Sequence, residues 1–367
     1  MRSVRQLCLL IVGVLLALPW AIAEDLPHSI SDAEFWRLVT DFSEAGGVFP
    51  QQYMSNEDSA QFVIPALKQT ARQGGVYIGV GLEQNFTYIA ALQPKIAFVI
   101  DIRRDNMIEH LVYKALFEIS TDRADFISRL FSRKRPAGLN AISSIKAIFD
   151  AYQSAEADPV LYEATLKAVI NQLVAEHKFP LNDADRAAVS RILNAFRVSS
   201  PATLRGQGDN TNPTYSQLMT ATDLSGRNRG FLGSEESFKS LQDFEKRNGL
   251  IPLVGDFAGD KAIVSVGRYL KERNSVADVF YLSNVERYLF DQGENAKRFY
   301  TNVATLPLGP SSTFIRSVTS DISVRLGIPI PEASTKWRSF LSPIRDNLKA
   351  FESGGMKTYT DIFKLDR

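Results

Sequence analysis

A pair of glycines set between two short apolar runs constrains the fold of this chain more than any other feature. Residues 76–104 read VYIGVGLEQNFTYIAALQPKIAFVIDIRR, that is, strand, glycine turn, helix and second strand, with Asp101 closing the second strand. Both runs are apolar throughout rather than alternating, the pattern of strands covered on two faces in a parallel sheet. Glycine at 79 and 81 lets the backbone leave the first strand sharply and approach a ligand, and the N–H groups that open the next helix then face that ligand. Asp101 stands twenty residues after Gly81, the spacing at which a carboxylate of a βαβ unit accepts both ribose hydroxyls. The unit opens a nucleotide-cofactor fold, or it is a tight βα turn that binds no nucleotide.

Two further apolar runs, at 250–256 and 276–283, extend the pattern, and a fifth at 312–318 is more polar. Helices are predicted at 85–92, 260–273 and 285–300. Strands alternating with helices predict a doubly wound, mostly parallel α/β sheet of Rossmann-like type. The second and third strands are roughly 145 residues apart, too far for one crossover, and that interval reads as helical. Residues 106–120 bury Leu111, Val112, Ala115, Leu116 and Ile119 on one side, Asp158 and Pro159 open a helix as N-cap and first-turn proline, and 183–196 repeats the pattern. The expected organisation is an N-terminal segment and first half-sheet over 24–119, a helical insertion over 120–245, the second half over 246–345, and a tail over 346–367. Residues 199–214, rich in Ser, Gly, Asn and Pro, read as a mobile loop.

Ahead of this body, residues 1–23 have the three parts of a secretory signal: Arg2 and Arg5, an apolar run over 7–20, and Ala-Ile-Ala as a small-x-small cleavage site. The run is shorter than the roughly 20 residues of a membrane span. An uncleaved anchor is the alternative, and it also leaves the body outside, in a periplasm or secreted. The only cysteine is Cys8, so the chain beyond residue 23 has no disulfide, thiol nucleophile or thiolate metal site. Removing Arg2 and Arg5 turns the formal charge of +1 into −1, which argues against bulk attraction to nucleic acid or anionic lipid. The expected partner is a small molecule or another protein, with no membrane contact beyond that possible anchor. His28, His110 and His177 are isolated in sequence, so no multi-histidine zinc motif exists and no metal is expected. No GxSxG motif occurs. Ser143 and Lys146 match SxxK without its companion motifs. The sequon at Asn85 lies in the glycine turn and is read as chance.

Glu83 narrows the choice of cofactor. A carboxylate near the helix start repels a diphosphate and tolerates a cation, which favours S-adenosylmethionine, with its sulfonium and ammonium groups, over a dinucleotide. Gln84 also occupies the third glycine position of the dinucleotide fingerprint. With GVG at 79–81, Asp101 in VIDIRR, LVGDF and DVFYLSNVERYL, the chain resembles the class I S-adenosylmethionine-dependent methyltransferases. More closely, FSEAGG (42–47), MSNE (54–57), GVGLEQNFTYI and VGDFAGDKA resemble an uncharacterised bacterial family with a methyltransferase-like fold, over roughly residues 30–350.

The resemblance implies that Gly79, Gly81 and Glu83 surround the methionine part of the cofactor, in a binding turn that includes Asn85. It implies that Asp101 holds the ribose, that Asp256 and Phe257 flank the adenine, and that Ser283 and Asn284 lie where the methyl group meets its acceptor. One departure is Tyr77, in the place where methyltransferases carry an acid. Asn56 and Glu57 are suited to a lid over the cofactor, or to an exposed loop capping the next helix. Ser283 and Asn284 are equally suited to a helix N-cap, and Arg103 and Arg104 to an acidic ligand or to nearby carboxylates. Asp223, Arg227 and Arg229 suit an anionic substrate, or a structured turn before a helix at 235–247 capped by Ser234. Two functions stand open: an exported S-adenosylmethionine-dependent methyltransferase with its acceptor undetermined, or a non-catalytic exported small-molecule-binding or scaffold protein that retains the methyltransferase fold. A nicotinamide oxidoreductase is disfavoured by Glu83 and Gln84.

Overall fold

The apolar runs pair into one sheet in the computed structural model, which describes residues 25–206, 208, 210–325 and 336–364. Its strands are β1 (Val76–Gly79), β2 (Ile96–Asp101), β3 (Leu250–Val254), β4 (Ala277–Ser283), β5 (Leu308–Thr319) and β6 (Trp337–Pro343). They lie in the order β3-β2-β1-β4-β5-β6. The first five pair in parallel, and β6 pairs antiparallel to β5 at the edge. Every residue of β1, β2 and β3 is buried, so both faces of the sheet's centre are covered, as unbroken apolar runs require. The edge strand β6 mixes buried and partly exposed positions and had no apolar run to announce it.

The helices are α1 (Asp32–Phe42), α2 (Ile64–Thr70), α3 (Gln84–Leu92), α4 (Arg104–Ile119), α5 (Arg123–Phe131), α6 (Ile145–Tyr152), α7 (Pro159–Asn171), α8 (Asp183–Val198), α9 (Tyr215–Thr220), α10 (Glu235–Lys246), α11 (Ala262–Glu272), α12 (Val285–Phe290), α13 (Asn295–Ala304), α14 (Ser320–Arg325) and α15 (Ile344–Glu352). Seven of them, α4 to α10, run between β2 and β3. Local chemistry sets their ends: Asp158 accepts the N–H groups of Val160 and Leu161 at 2.8 and 3.3 Å, and Ser234 accepts that of Ser237 at 3.0 Å. The helix predicted over 285–300 is two, α12 and α13, broken at Asp-Gln-Gly-Glu, whose Asp and Gly are weak helix formers.

Helix α4 explains how the polar residues near the site come to be buried. It packs on β2 and β3 and under α8 and α10, and its buried residues run around its whole circumference. Its polar side chains must therefore find partners inside. Lys114 donates to Glu118 at 2.8 Å and to the Glu245 carbonyl, and His110 Nε2 lies 2.8 Å from the Gly81 carbonyl. Neither oxygen of Glu109 meets a hydrogen-bond donor among the described residues. The expected signal, residues 1–23, lies outside the described residues. No described helix is long and apolar enough to cross a membrane.

Candidate functional site

In this strand order the chain direction of the connections reverses between β1 and β4, the position at which open α/β sheets form a crevice beyond the strands' C-terminal ends. Two connections meet there, from β1 to α3 and from β4 to α12. The segment ahead of α2 laces across this edge. Val254, ending β3, donates to Ser43 Oγ and accepts the Glu44 N–H, both at 3.0 Å. Just past β2, the Ile102 carbonyl accepts the Gly47 N–H at 2.8 Å. Phe49 then meets Tyr288 of α12 edge-on, with ring centres 5.4 Å apart. The Ser55 N–H points between both carboxylate oxygens of Glu83, 3.0 Å from each. Glu57 accepts the hydroxyls of Ser283 and Ser317, and Asp58 accepts the N–H groups of Lys336 and Trp337 at 3.2 and 3.1 Å.

At the β1 end the polar groups are engaged with one another. Gly81 has φ +77°, and a Cβ at Gly79 would sit 1.9 Å from Asn85 Oδ1 and 2.8 Å from the Tyr77 ring. The space above the first glycine thus belongs to the βα unit's own side chains. The buried Asn85 accepts the Tyr77 hydroxyl at 2.9 Å and donates to the Val80 and Leu82 carbonyls at 2.9 and 2.7 Å. Tyr77, the departure noted in the sequence, serves as that donor. Burial pushes the Glu83 carboxyl up to about 7, against the Ser55 N–H that favours its ionised form. Burial, and then the charge of Glu83, hold Glu109 well above the usual carboxylate range, while burial takes His110 down to about 4.

Asp101 is also engaged. It accepts the Arg103 N–H at 2.9 Å, while the Arg103 guanidinium reaches both its oxygens at 3.1 Å. Arg104 makes a bidentate pair with Asp185 at 2.8 and 2.9 Å. Asp256 accepts the Ala258 N–H at 2.9 Å, and its own N–H goes to Glu44 at 3.1 Å. Phe257 is a core residue, stacked on Phe299 at 5.7 Å and packed against Phe280. Asp223 closes its own turn, accepting from Ser225, from the Arg227 N–H and from Arg229. Gln61 ties that turn to the lacing segment, accepting the Arg229 N–H at 2.5 Å and donating to the Ala221 carbonyl at 3.0 Å. The side chain of Arg227 is exposed.

The β4 end is arranged differently. Ser283 is partly exposed and has φ +52°, a left-handed conformation uncommon for serine. Its hydroxyl donates to one oxygen of the buried Glu57, and Ser317 of β5 donates to the other. Behind Ser317 stands Ser339 of β6, with hydroxyls 3.2 Å apart, and Ser59 accepts the Ser339 N–H at 2.9 Å. Burial raises the Glu57 pKa, and the Ser283 and Ser317 hydroxyls oppose that rise. Asn284 forms no side-chain cap on α12, and its Oδ1 lies 3.5 Å from the Ser283 hydroxyl. A cavity of about 10 Å³ borders Glu57, Gln84, Thr87 and Gly230, roughly the size of one water. A larger one, about 250 Å³, lies between α1 and α11. It is lined by arginines, of which Arg37 pairs with Glu34 and Asp41.

Sequence reasoning found Ser283 and Glu57 separately and missed Ser317, Ser339 and Ser59. Isolated serines in polar strands carry no signal, and the partners of Glu57 are 226 and 260 residues away along the chain. No group of three or more His, Cys, Asp or Glu side chains placed to hold a metal occurs among the described residues.

These features define a mixed α/β protein with a mostly parallel six-stranded sheet, whose C-terminal edge is laced by its own N-terminal segment. The chain belongs to the family described as Domain of unknown function (DUF7790), which matches residues 53–364. No curated protein matches the chain.

Proposed function

We infer that the chain keeps a Rossmann-like, methyltransferase-like sheet, with α5 to α10 as an insertion. On this reading it works outside the cytosol as a binding or scaffold protein rather than as an S-adenosylmethionine-dependent methyltransferase. The sheet order and the parallel β1–β5 pairings support the architecture, and residues 1–23 support export. One observation carries the functional choice: the groups that would receive an adenosyl cofactor are engaged by the chain itself. Ser55 takes both oxygens of Glu83, Arg103 takes both oxygens of Asp101, and Phe257 is packed in the core. The residues present therefore do not fit S-adenosylmethionine as they stand, and admitting it requires residues 54–57 to leave the crevice.

Calorimetric titration of the folded chain with S-adenosylmethionine and S-adenosylhomocysteine, with NADH as control, tests this reading. It expects no heat with any of them. Micromolar binding of either adenosyl compound, lost in Asp101→Ala, would overturn it and restore the methyltransferase.

A further inference from the structure

We propose that Ser283 and Glu57 form a nucleophile–base pair for acyl transfer, with Ser317 holding the base and an ester of an apolar acid as substrate. This goes beyond the binding role and does not depend on it. The pair has the arrangement that activates a hydroxyl: nucleophile on base, and base oriented by a third group on its far oxygen. The backbone adds a second, independent feature. Ser283 ends a strand, takes φ +52° and is followed by a helix after one residue. A sharp, strained turn of this kind lifts a hydroxyl clear of an α/β sheet at its C-terminal edge. The flanking Tyr281 and Val285 are not glycines, so the sequence motif is absent although the local geometry is present.

The chemistry closes with the groups in place. Ser283 Oγ attacks the ester carbonyl carbon while its proton passes to Glu57. The tetrahedral intermediate expels the alcohol's oxygen, which takes that proton, leaving an acyl-serine and a free alcohol. Water then attacks the acyl carbon with Glu57 again accepting and returning the proton, which releases the acid and restores Ser283. The acyl chain is assigned to the apolar rim of Val48, Phe49 and Tyr288. Val48 is 99% exposed and Tyr288 39%, and Tyr288 lies on the helix that follows Ser283.

Titratable groups reach Glu57 from every side. They are Tyr77 of β1, Glu83 of the glycine turn, Tyr88 of α3, Tyr281 of β4, Asp58 of its own segment, and Tyr359. Burial first, and then the charge of Asp58, hold Glu57 protonated to higher pH against the hydroxyls of Ser283, Ser317 and Tyr281, so activation of Ser283 sets in above the usual carboxylate range.

The test treats the full chain with an alkyl fluorophosphonate and follows turnover of p-nitrophenyl octanoate. The expected result is a single adduct, mapped by peptide mass spectrometry to residue 283, with a rate that rises with pH as Glu57 ionises. Ser283→Ala removes adduct and turnover. Glu57→Gln slows adduct formation about 100-fold or more and abolishes the rise with pH. A folded chain that forms no adduct, an adduct elsewhere, or equal labelling of Ser283→Ala overturns the proposal. Should Glu57→Gln fail to fold, the adduct map and pH profile of the unaltered chain still decide. Adenosyl titration reads the other proposal separately, since neither ligand reacts with serine.

Discussion

The two loops that meet at the centre of the sheet edge treat their polar groups in opposite ways. After β1, Asn85 and Glu83 are both engaged by the chain itself: Asn85 with Tyr77 and two carbonyls, and Glu83 with the Ser55 N–H. After β4, a serine is held in a left-handed backbone conformation, partly exposed, with its hydroxyl on a buried carboxylate. The first loop has the character of a joint and the second that of a reactive group on display. In this chain the glycine turn also fastens the lacing segment to the sheet, through the Ser55 N–H on Glu83.

The comparison breaks most easily at Gly79. A Cβ there would lie 1.9 Å from Asn85 Oδ1, and Tyr77 and Asn85 are both fully buried. Gly79→Ala is expected to cost about 3 kcal/mol or more in urea unfolding, at the upper end for overpacking. Near-normal stability would show that the side chains above Gly79 yield readily, as a ligand-binding turn would allow.

A pH series sharpens the role of Glu83. Its folded pKa is about 7 against 4.5 in the unfolded chain, so between those values the folded state holds a proton that the unfolded state has lost. Stability then falls as pH rises from about 4.5 to 7 and levels off above, by about 3 kcal/mol for this group. Glu83→Gln should remove that share, leaving a shallower decline of the same sign from Glu57 and Glu109, which are also raised. Equal pH dependence in both proteins would mean that Glu83 is not held protonated by the fold.

Asn85→Ala should cost about 2 kcal/mol, since it leaves the Val80 and Leu82 carbonyls and the Tyr77 hydroxyl buried without their partner. Loss without a change in the fluorophosphonate rate at Ser283 would keep the two loops distinct. A parallel fall in that rate would join them.

The elements legible in the sequence were those whose signal is local. Apolar runs located β1 to β4, and Asp158 and Ser234 announced their helices because a cap acts within three residues. The Asp101–Arg103 pair is likewise two residues long, and the arginine's proximity was readable although its choice of partner was not. What escaped was long-range or mixed in polarity. Strand β6, with Arg338 and Ser339 among its residues, had neither an apolar run nor clean alternation, and it forms only because β5 offers an edge. The lacing of residues 43–58 across five strand ends follows from contacts between distant parts of the chain. The Glu57 cluster assembles only once β4, β5 and β6 are side by side, so single serines in separate segments gave no warning of it.

The smallest expected effect separates backbone strain from hydrogen bonding at Ser283. Ser283→Ala and Ser283→Gly both delete the hydroxyl that reaches Glu57, so that loss cancels between them. They differ in the backbone: alanine retains the Cβ penalty at φ +52°, and glycine does not. Glycine also gives the unfolded chain more freedom, which offsets part of the relief. The glycine variant should remain the more stable of the two, by about 1 kcal/mol, read from paired urea titrations. Neither should form the fluorophosphonate adduct. If alanine proves equal to glycine, the turn stores no strain, and Ser283 would be held out by its hydrogen bond to Glu57 alone. The contrast with the β1 loop would then rest on the carboxylate and not on the backbone.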